Sequence, residues 1–177
     1  MIKTILKEEQ LQLSIQRLAH QILENHLSLE NTVIIGLQPR GRFLSDKIVE
    51  ALSPLVDGSK IDYGRLDITF YRDDIRKELH MANETDIRFS IEGKAVVLVD
   101  DVLWTGRTIR AALDALLTFG RPKCVEPCVL INRRFGRELP IQANYIGRSI
   151  DTFDSQKVKV LWKEKDGISE VQLIEQD

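Results

Sequence analysis

Two adjacent carboxylates, Asp100 and Asp101, end an apolar run, and a turn of hydroxyls, glycine and a cation follows closely. The block reads Val96-Val-Leu-Val-Asp-Asp-Val-Leu-Trp-Thr-Gly-Arg-Thr108. Four β-forming residues lead into the acids, so the pair stands where the carboxyl end of a buried strand opens a crevice. Thr105-Gly106-Arg107-Thr108 combines hydroxyls, a permissive glycine and the start of a helix. Unpaired backbone N–H groups and the helix dipole make such a turn an anion site suited to phosphate. Carboxylates beside a phosphate repel the ligand unless they grip something else, and sugar hydroxyls fit. The spacing therefore predicts a phosphorylated sugar, with its phosphate in the turn and its diol on the acids. A Walker-type nucleotide loop has no support, since no GxxxxGK[ST] follows any strand.

The elements that must hold these groups alternate strand and helix. Leu11, Ile15, Leu18, Ile22 and Leu23 predict an amphipathic helix over 7–27. The apolar run 32–37 is a strand buried on both faces. A turn, Gln38-Pro39-Arg40-Gly41, leads into a helix bearing Phe43, Leu44, Ile48, Val49 and Leu52. Residues 61–70 alternate as a strand, and 94–99 is the cleanest strand of all. A helix from about 108 to 119 should end on Gly120 at the position after its cap. Further strands are expected at 124–131, 141–147, 157–163 and 169–174, with Asp166-Gly167 as a hairpin signal. The charged, aperiodic stretch 71–90 is too long for an ordinary connection and reads as a functional flap. The alternation argues an α/β fold with a mainly parallel sheet.

Composition narrows the function classes. The chain has 177 residues, with 25 Lys+Arg against 27 Asp+Glu and a net charge of −2. That length suits one domain, 1–177, and the balance of charge does not advertise nucleic acid. Hydrophobic residues at 43% and charged residues at 29% exclude a wholly disordered chain. Cys124 and Cys128 cannot form a disulfide framework, which fits a reducing compartment, and both read as core fillers. The N-terminus becomes charged too early for a secretory signal, and no apolar run approaches the roughly 18–20 residues of a membrane helix. A cytoplasmic protein is expected. His26 and His80 lack ligand spacing, so no metal site from protein side chains is proposed.

The block at 96–108 resembles the phosphoribosyl-diphosphate (PRPP) motif of type I phosphoribosyltransferases. Three further segments resemble one branch, the bifunctional pyrimidine-operon attenuation regulators and uracil phosphoribosyltransferases (PyrR). They are Gln38-Pro-Arg-Gly41, Leu66-Asp-Ile-Thr-Phe-Tyr-Arg-Asp-Asp74, and Arg137-Glu-Leu-Pro-Ile141 followed by Tyr145-Ile-Gly147. The likeness runs from about residue 11 to the C-terminus. It implies a five-stranded parallel sheet flanked by helices, a mobile flap at about 71–90, and a small hood built mainly after 131. It also implies transfer of ribose 5-phosphate from PRPP to uracil with Mg²⁺, giving UMP and diphosphate, in a homodimer or tetramer without membrane attachment.

Residue by residue, the resemblance gives the ribose hydroxyls to Asp100 and Asp101 and the 5′-phosphate to Thr105, Gly106, Arg107 and Thr108. Val102, Leu103 and Trp104 complete that segment. Pro39, Arg40 and Gly41 form the diphosphate loop, with Arg40 meeting the departing charge. Tyr71 and Arg72 belong to the flap, where Arg72 also meets diphosphate, and Arg133 lies near ligand phosphate. Leader RNA is the further partner that the family implies, with Arg17, His20, Arg137 and Arg148 as its contacts. The chain departs from the family pattern at Asn132-Arg133-Arg134-Phe135-Gly136, which is about one residue longer and lacks an Asp and a His. It departs also at Trp104, at Gln142 and at Arg148-Ser-Ile-Asp-Thr152. Two other readings stay open: a UMP-sensing attenuator with little catalysis, and a transferase for a purine base. The purine reading is disfavoured because purine enzymes carry an Asp where Trp104 stands.

Overall fold

The computed structural model describes residues 1–56, 58, 60–71 and 84–175. Along the chain come β1 (Ile2–Leu6), α1 (Glu8–His26), β2 (Thr32–Gln38), α2 (Gly41–Leu52) and β3 (Asp62–Asp67). Then follow β4 (Ala95–Leu103), α3 (Arg107–Leu116), β5 (Cys124–Arg133), β6 (Tyr145–Ile150), β7 (Gln156–Leu161), α4 (Lys163–Asp166) and β8 (Glu170–Glu175). Five strands form one parallel sheet in the order β3-β2-β4-β5-β6. This is the expected α/β sheet, and the continuous apolar runs follow from its two covered faces. Val33, Ile35, Leu37, Val96 and Leu98 pack with Ile109, Ala112 and Leu116 of α3. Their neighbours Ile34, Val97 and Val99 turn the other way, onto Leu18 and Ile22 of α1 and Leu44 and Ile48 of α2. Each such side chain, once buried, contributes roughly 1.5–3 kcal/mol.

The sheet order reverses at β2. The chain steps from β2 to β3 on one side, and β4 then pairs on the other. Ligands of such sheets bind outside the carboxyl ends of the strands at that reversal. Both Gln38-Pro39-Arg40-Gly41 and Asp100-Asp101 stand there, at the ends of β2 and β4.

A second sheet, antiparallel and ordered β1-β8-β7, covers the α1/α2 side. It is anchored by Val158, Val160, Trp162 and Val171, with Trp162 stacked on Phe43 at 6.2 Å between ring centres. The hood expected after 131 therefore also contains the N-terminus, since Ile2 pairs with Ile174. Asp166-Gly167 is not a two-residue hairpin turn; it closes α4, with Gly167 in the left-handed region at φ 79°. α3 stops at Leu116 rather than running to 119, because the N–H groups of Thr118 and Phe119 tighten onto the carbonyls of Ala115 and Leu116. Gly120 is thus not its cap. Cys128 is buried as expected, but Cys124, the first residue of β5, is exposed.

Of the predicted flap, residues 72–83 lie outside the described residues. The rest is not a free connection. Asp86 and Arg65 exchange two backbone hydrogen bonds of 2.9 Å, and Ile87 and Phe89 pack against the α3-side core. Among the described residues no helix is long and apolar enough to cross a membrane.

Candidate active site

The acid pair is buried at the carboxyl end of β4, with Asp100 and Asp101 only 8% and 9% exposed. Asp100 Oδ1 accepts the Asp101 N–H at 2.9 Å. Asp101 Oδ2 lies 3.4 Å from Arg40 Nε. Burial pushes the Asp101 carboxyl upward, and the Arg40 charge recovers part of that shift. Arg40 reaches further, to the Val160 carbonyl and to within 3.5 Å of Asp166 Oδ2. It thereby ties the loop after β2 to the small sheet. Gly41 makes this approach possible, because a Cβ there would sit 2.5 Å from the Val99 carbonyl oxygen and 3.0 Å from Asp100 Cα.

The turn after β4 has the geometry of a cradle. Gly106 stands in the left-handed region at φ 94° and caps α3, whose first N–H groups have no partner within the helix. A loop crosses over the turn: the N–H groups of Glu138 and Leu139 donate to the Thr105 carbonyl at 3.0 and 3.2 Å. The Arg107 side chain meets the Glu138 carboxylate at 2.6 Å, and the Arg107 N–H donates to Thr105 Oγ1 at 3.3 Å, so backbone and hydroxyl groups make the cradle. Asp100, Val102, Leu103, Trp104, Thr105, Gly106, Arg107, Thr108 and Arg133 line one cavity of about 610 Å³.

Arg133 is 2% exposed and stacks on the Trp104 ring, 4.0 Å from its centre. Its Nε donates to Thr152 Oγ1 at 2.7 Å and its Nη2 to the Phe153 carbonyl at 3.0 Å. Burial pulls its pKa down, and the Asp154 charge opposes that. Arg133 is therefore a wall that joins β5 to the 152–154 segment. Its neighbour Arg134 is exposed and makes a bidentate pair with Asp151 at 2.6 Å, facing away.

The remaining predicted residues divide. Pro39 borders a separate shallow cleft with Arg42, Phe43 and Glu164. The Tyr71 carbonyl accepts from Arg110 Nη2 on α3 at 3.4 Å, away from the cavity lining, and Arg72 lies outside the described residues. Arg17, His20 and Arg148 are exposed where α1 meets β6: Arg17 donates to the Gly147 carbonyl, and Arg148 to that of Ile5 at 3.0 Å. Arg137 does not join them. Its guanidinium is drawn to the ends of β4 and β5, onto Trp104, Asn132 and Arg133. Sequence reasoning missed Glu138, Asp154, Gln156, Lys157 and Val158 on the cavity wall, and Asp166 behind Arg40. The alternation of Lys157, Val158, Lys159 and Val160 was the one available signal, and it marks a strand rather than a site.

A phosphoribosyl transferase domain model matches residues 1–165. The Bifunctional protein PyrR of Haemophilus ducreyi is 45% identical over 176 residues, covering 98% of this chain and 97% of that protein. Its counterpart in Deinococcus deserti is 44% identical over 172 residues, covering 96% and 93%. Among solved structures, the hypoxanthine phosphoribosyltransferase of Trypanosoma cruzi superposes with a TM-score of 0.74 at 19% identity, covering 99% of this chain and 97% of that chain. At that identity the likeness speaks for the fold.

Proposed function

The chain belongs to the phosphoribosyltransferase family and, within it, to the PyrR proteins, and from that membership we propose that it transfers ribose 5-phosphate from PRPP to uracil. The observation that carries the reading is that Asp100, of a buried acid pair, and the turn 105–108 line one cavity beside the strand-order reversal. Asp100 and Asp101 hold the ribose 2′- and 3′-hydroxyls, and the N–H groups of Thr105, Gly106, Arg107 and Thr108 hold the 5′-phosphate. In the reaction the bond from C1′ to the diphosphate oxygen breaks, and the bond from uracil N1 to C1′ forms. The N1 proton is released, and UMP and diphosphate leave. Positive charge develops on the sugar, so the fixed carboxylates stabilise the transition state. Pro39, Arg40 and Gly41 form the diphosphate loop. Arg40, held between Asp101 and Asp166, exchanges those partners for the leaving group. Arg72 supplies a second cation, and Tyr71 sits at the root of the same segment.

Mg²⁺ suits a site of hard oxygens, and when bound it neutralises the leaving diphosphate. Among the described residues no three His, Cys, Asp or Glu side chains converge as a metal site. The ion would arrive with PRPP, and Asp100 and Asp101 would be the carboxylates available to it at the ribose. Family membership also supports a homo-oligomer acting in the cytoplasm. Incubating the pure protein with PRPP, Mg²⁺ and each nucleobase tests the proposal. UMP and diphosphate from uracil are expected, and comparable turnover of hypoxanthine or guanine sinks the pyrimidine assignment.

One observation favours a second activity, UMP-responsive binding of pyrimidine-operon leader RNA. Arg17, His20 and Arg148 are exposed together beside α1 and β6. Few cations gather there and Arg137 is spent elsewhere, so binding should be weak near physiological salt. Each phosphate contact contributes about 0.7–0.9 to the salt slope. Filter binding with and without UMP, at several salt concentrations, decides this. Tight, UMP-enhanced, sequence-specific binding would reverse the precedence given to catalysis.

A further inference from the structure

The pairing of β4 with β5 ends at Leu103 with Asn132. The next two residues, Trp104 and Arg133, carry the side chains that stack at 4.0 Å on the cavity wall. The guanidinium of Arg137 lies just past the end of that pairing. Arg137 donates to the Trp104 carbonyl, to Asn132 Oδ1 at 2.7 Å and to the Arg133 carbonyl at 3.3 Å. One planar fork thus binds the backbones of both stacked residues from behind, as ladder hydrogen bonds would have done. Arg137 is itself absent from the lining of the 610 Å³ cavity and borders an outer cleft with Arg134 and Gln142. It can touch the substrate only through other residues.

We infer that Arg137 is a positioning residue that sets the Arg133–Trp104 stack, and through it the Trp104 wall of the substrate pocket, which we take as its base side because purine enzymes carry an Asp at that position. The inference rests on the reading of that cavity as the transferase site. With the clamp removed, Trp104 and Arg133 keep their side chains but lose the common anchor of their carbonyls. Uracil then meets a wall that must be ordered on binding, which weakens binding more than it slows the chemical step.

The test compares R137Q, R137K and W104A with the double variant W104A/R137Q. R137Q should raise KM for uracil about tenfold, as expected for the net loss of two or three hydrogen bonds, with a smaller change in kcat. R137K should fall between, because a compact ammonium cannot span three acceptors; it also carries the test if R137Q folds poorly. Acrylamide quenching gives a readout independent of turnover. The chain has two tryptophans, Trp162 at 0% exposure and Trp104 at 37%, so a rise in quenching reports on Trp104. In the W104A background, R137Q should change KM by no more than about twofold, because effects that act through one contact do not add. The inference is overturned if R137Q matches wild type in KM and quenching, or if its full penalty persists without the indole. A wild-type protein that makes no UMP overturns the proposed reaction instead, and the quenching comparison still judges Arg137.

Discussion

Two polar clusters occupy opposite ends of the same parallel sheet, and they answer burial in opposite ways. At the amino end, Glu126 of β5 accepts a hydrogen bond from the Tyr145 hydroxyl at 2.7 Å and lies 2.7 Å from His26 Nε2. Asn25 donates to the same Tyr145 hydroxyl at 3.1 Å. Burial alone would raise the Glu126 pKa, but the bonds from Tyr145 and His26 outweigh it and hold the carboxyl below its ordinary range. At the carboxyl end, Asp101 is buried against Arg40, and there burial wins and the carboxyl stays raised. The first cluster has the residue types of an acid–base site, yet its members satisfy one another. In the second, pairing with Arg40 offsets burial only in part, and the neighbouring Asp100 lines a cavity. What separates the two clusters here is the balance between burial and pairing rather than the residue types.

The largest expected effect breaks the two ends apart. Asp100→Asn with Asp101→Asn should lower kcat/KM by about 10³-fold or more, the scale of lost transition-state electrostatics, in a protein that still folds. A folded double variant with wild-type turnover ends the sugar-diol assignment. Next comes Gly41→Ala. The new Cβ would lie 2.5 Å from the Val99 carbonyl oxygen, so the 38–41 turn, proposed to hold diphosphate, must back away from Asp100. A displacement of that kind costs about 10²-fold in turnover, read as a fall in kcat/KM for PRPP. Unchanged kinetics would mean that the loop can be displaced from the acids without cost.

The carboxyl-end site could be read from sequence because its core is contiguous. Strand, acids, turn and the start of the helix all fall within 96–108, at the carboxyl end of β4. The central strands β2, β4 and β5 were readable for the same local reason, in apolar runs of strand length, whereas the count of five came from the family resemblance. What escaped depends on distant pairing. β1 is mostly exposed, and only its partner at the far end of the chain makes it a strand. Arg40 finds the Val160 carbonyl 120 positions away. Arg137 looks like a surface cation until the end of the β4–β5 ladder is known. His26 gave no ligand spacing because its partners, Glu126 and Tyr145, stand 100 and 119 positions further along.

Glu126→Gln sharpens the comparison from the amino end. Turnover should stay within about twofold, while unfolding stability falls by about 1–3 kcal/mol, the cost of breaking a partly buried charged hydrogen-bond network. The sign with pH follows from the lowered pKa. Glu126 stabilises the fold above its ordinary value of 4.5 and loses that contribution as pH falls through its lower folded value. The wild-type advantage over the Gln variant should therefore be full at neutral pH and shrink in acid, as denaturant midpoints across pH can show. A large loss of turnover with unchanged stability would instead make this cluster functional.

The smallest effect has the opposite sign and comes from Asp101→Asn alone. A carboxyl whose folded pKa is raised above 3.8 binds more protons folded than unfolded within that window. Its charge therefore costs stability above the folded value and costs nothing well below 3.8. Asparagine keeps the shape and removes the charge, while Arg40 retains Asp166 and the Val160 carbonyl. The variant should thus lose turnover yet melt slightly higher at pH 7, by about 2–4 °C for a gain near 1 kcal/mol in a chain of this size. That gain should vanish as pH falls toward 3.8, because wild-type Asp101 is then neutral as well. Thermal melts of the two proteins from pH 7 down to pH 4 make the measurement. If the asparagine variant melts lower at neutral pH, the Arg40 pairing outweighs burial, and Asp101 is held as firmly as Glu126. The two ends of the sheet would then differ in chemistry but not in strain, and the stability cost of the acid pair would have to rest on Asp100.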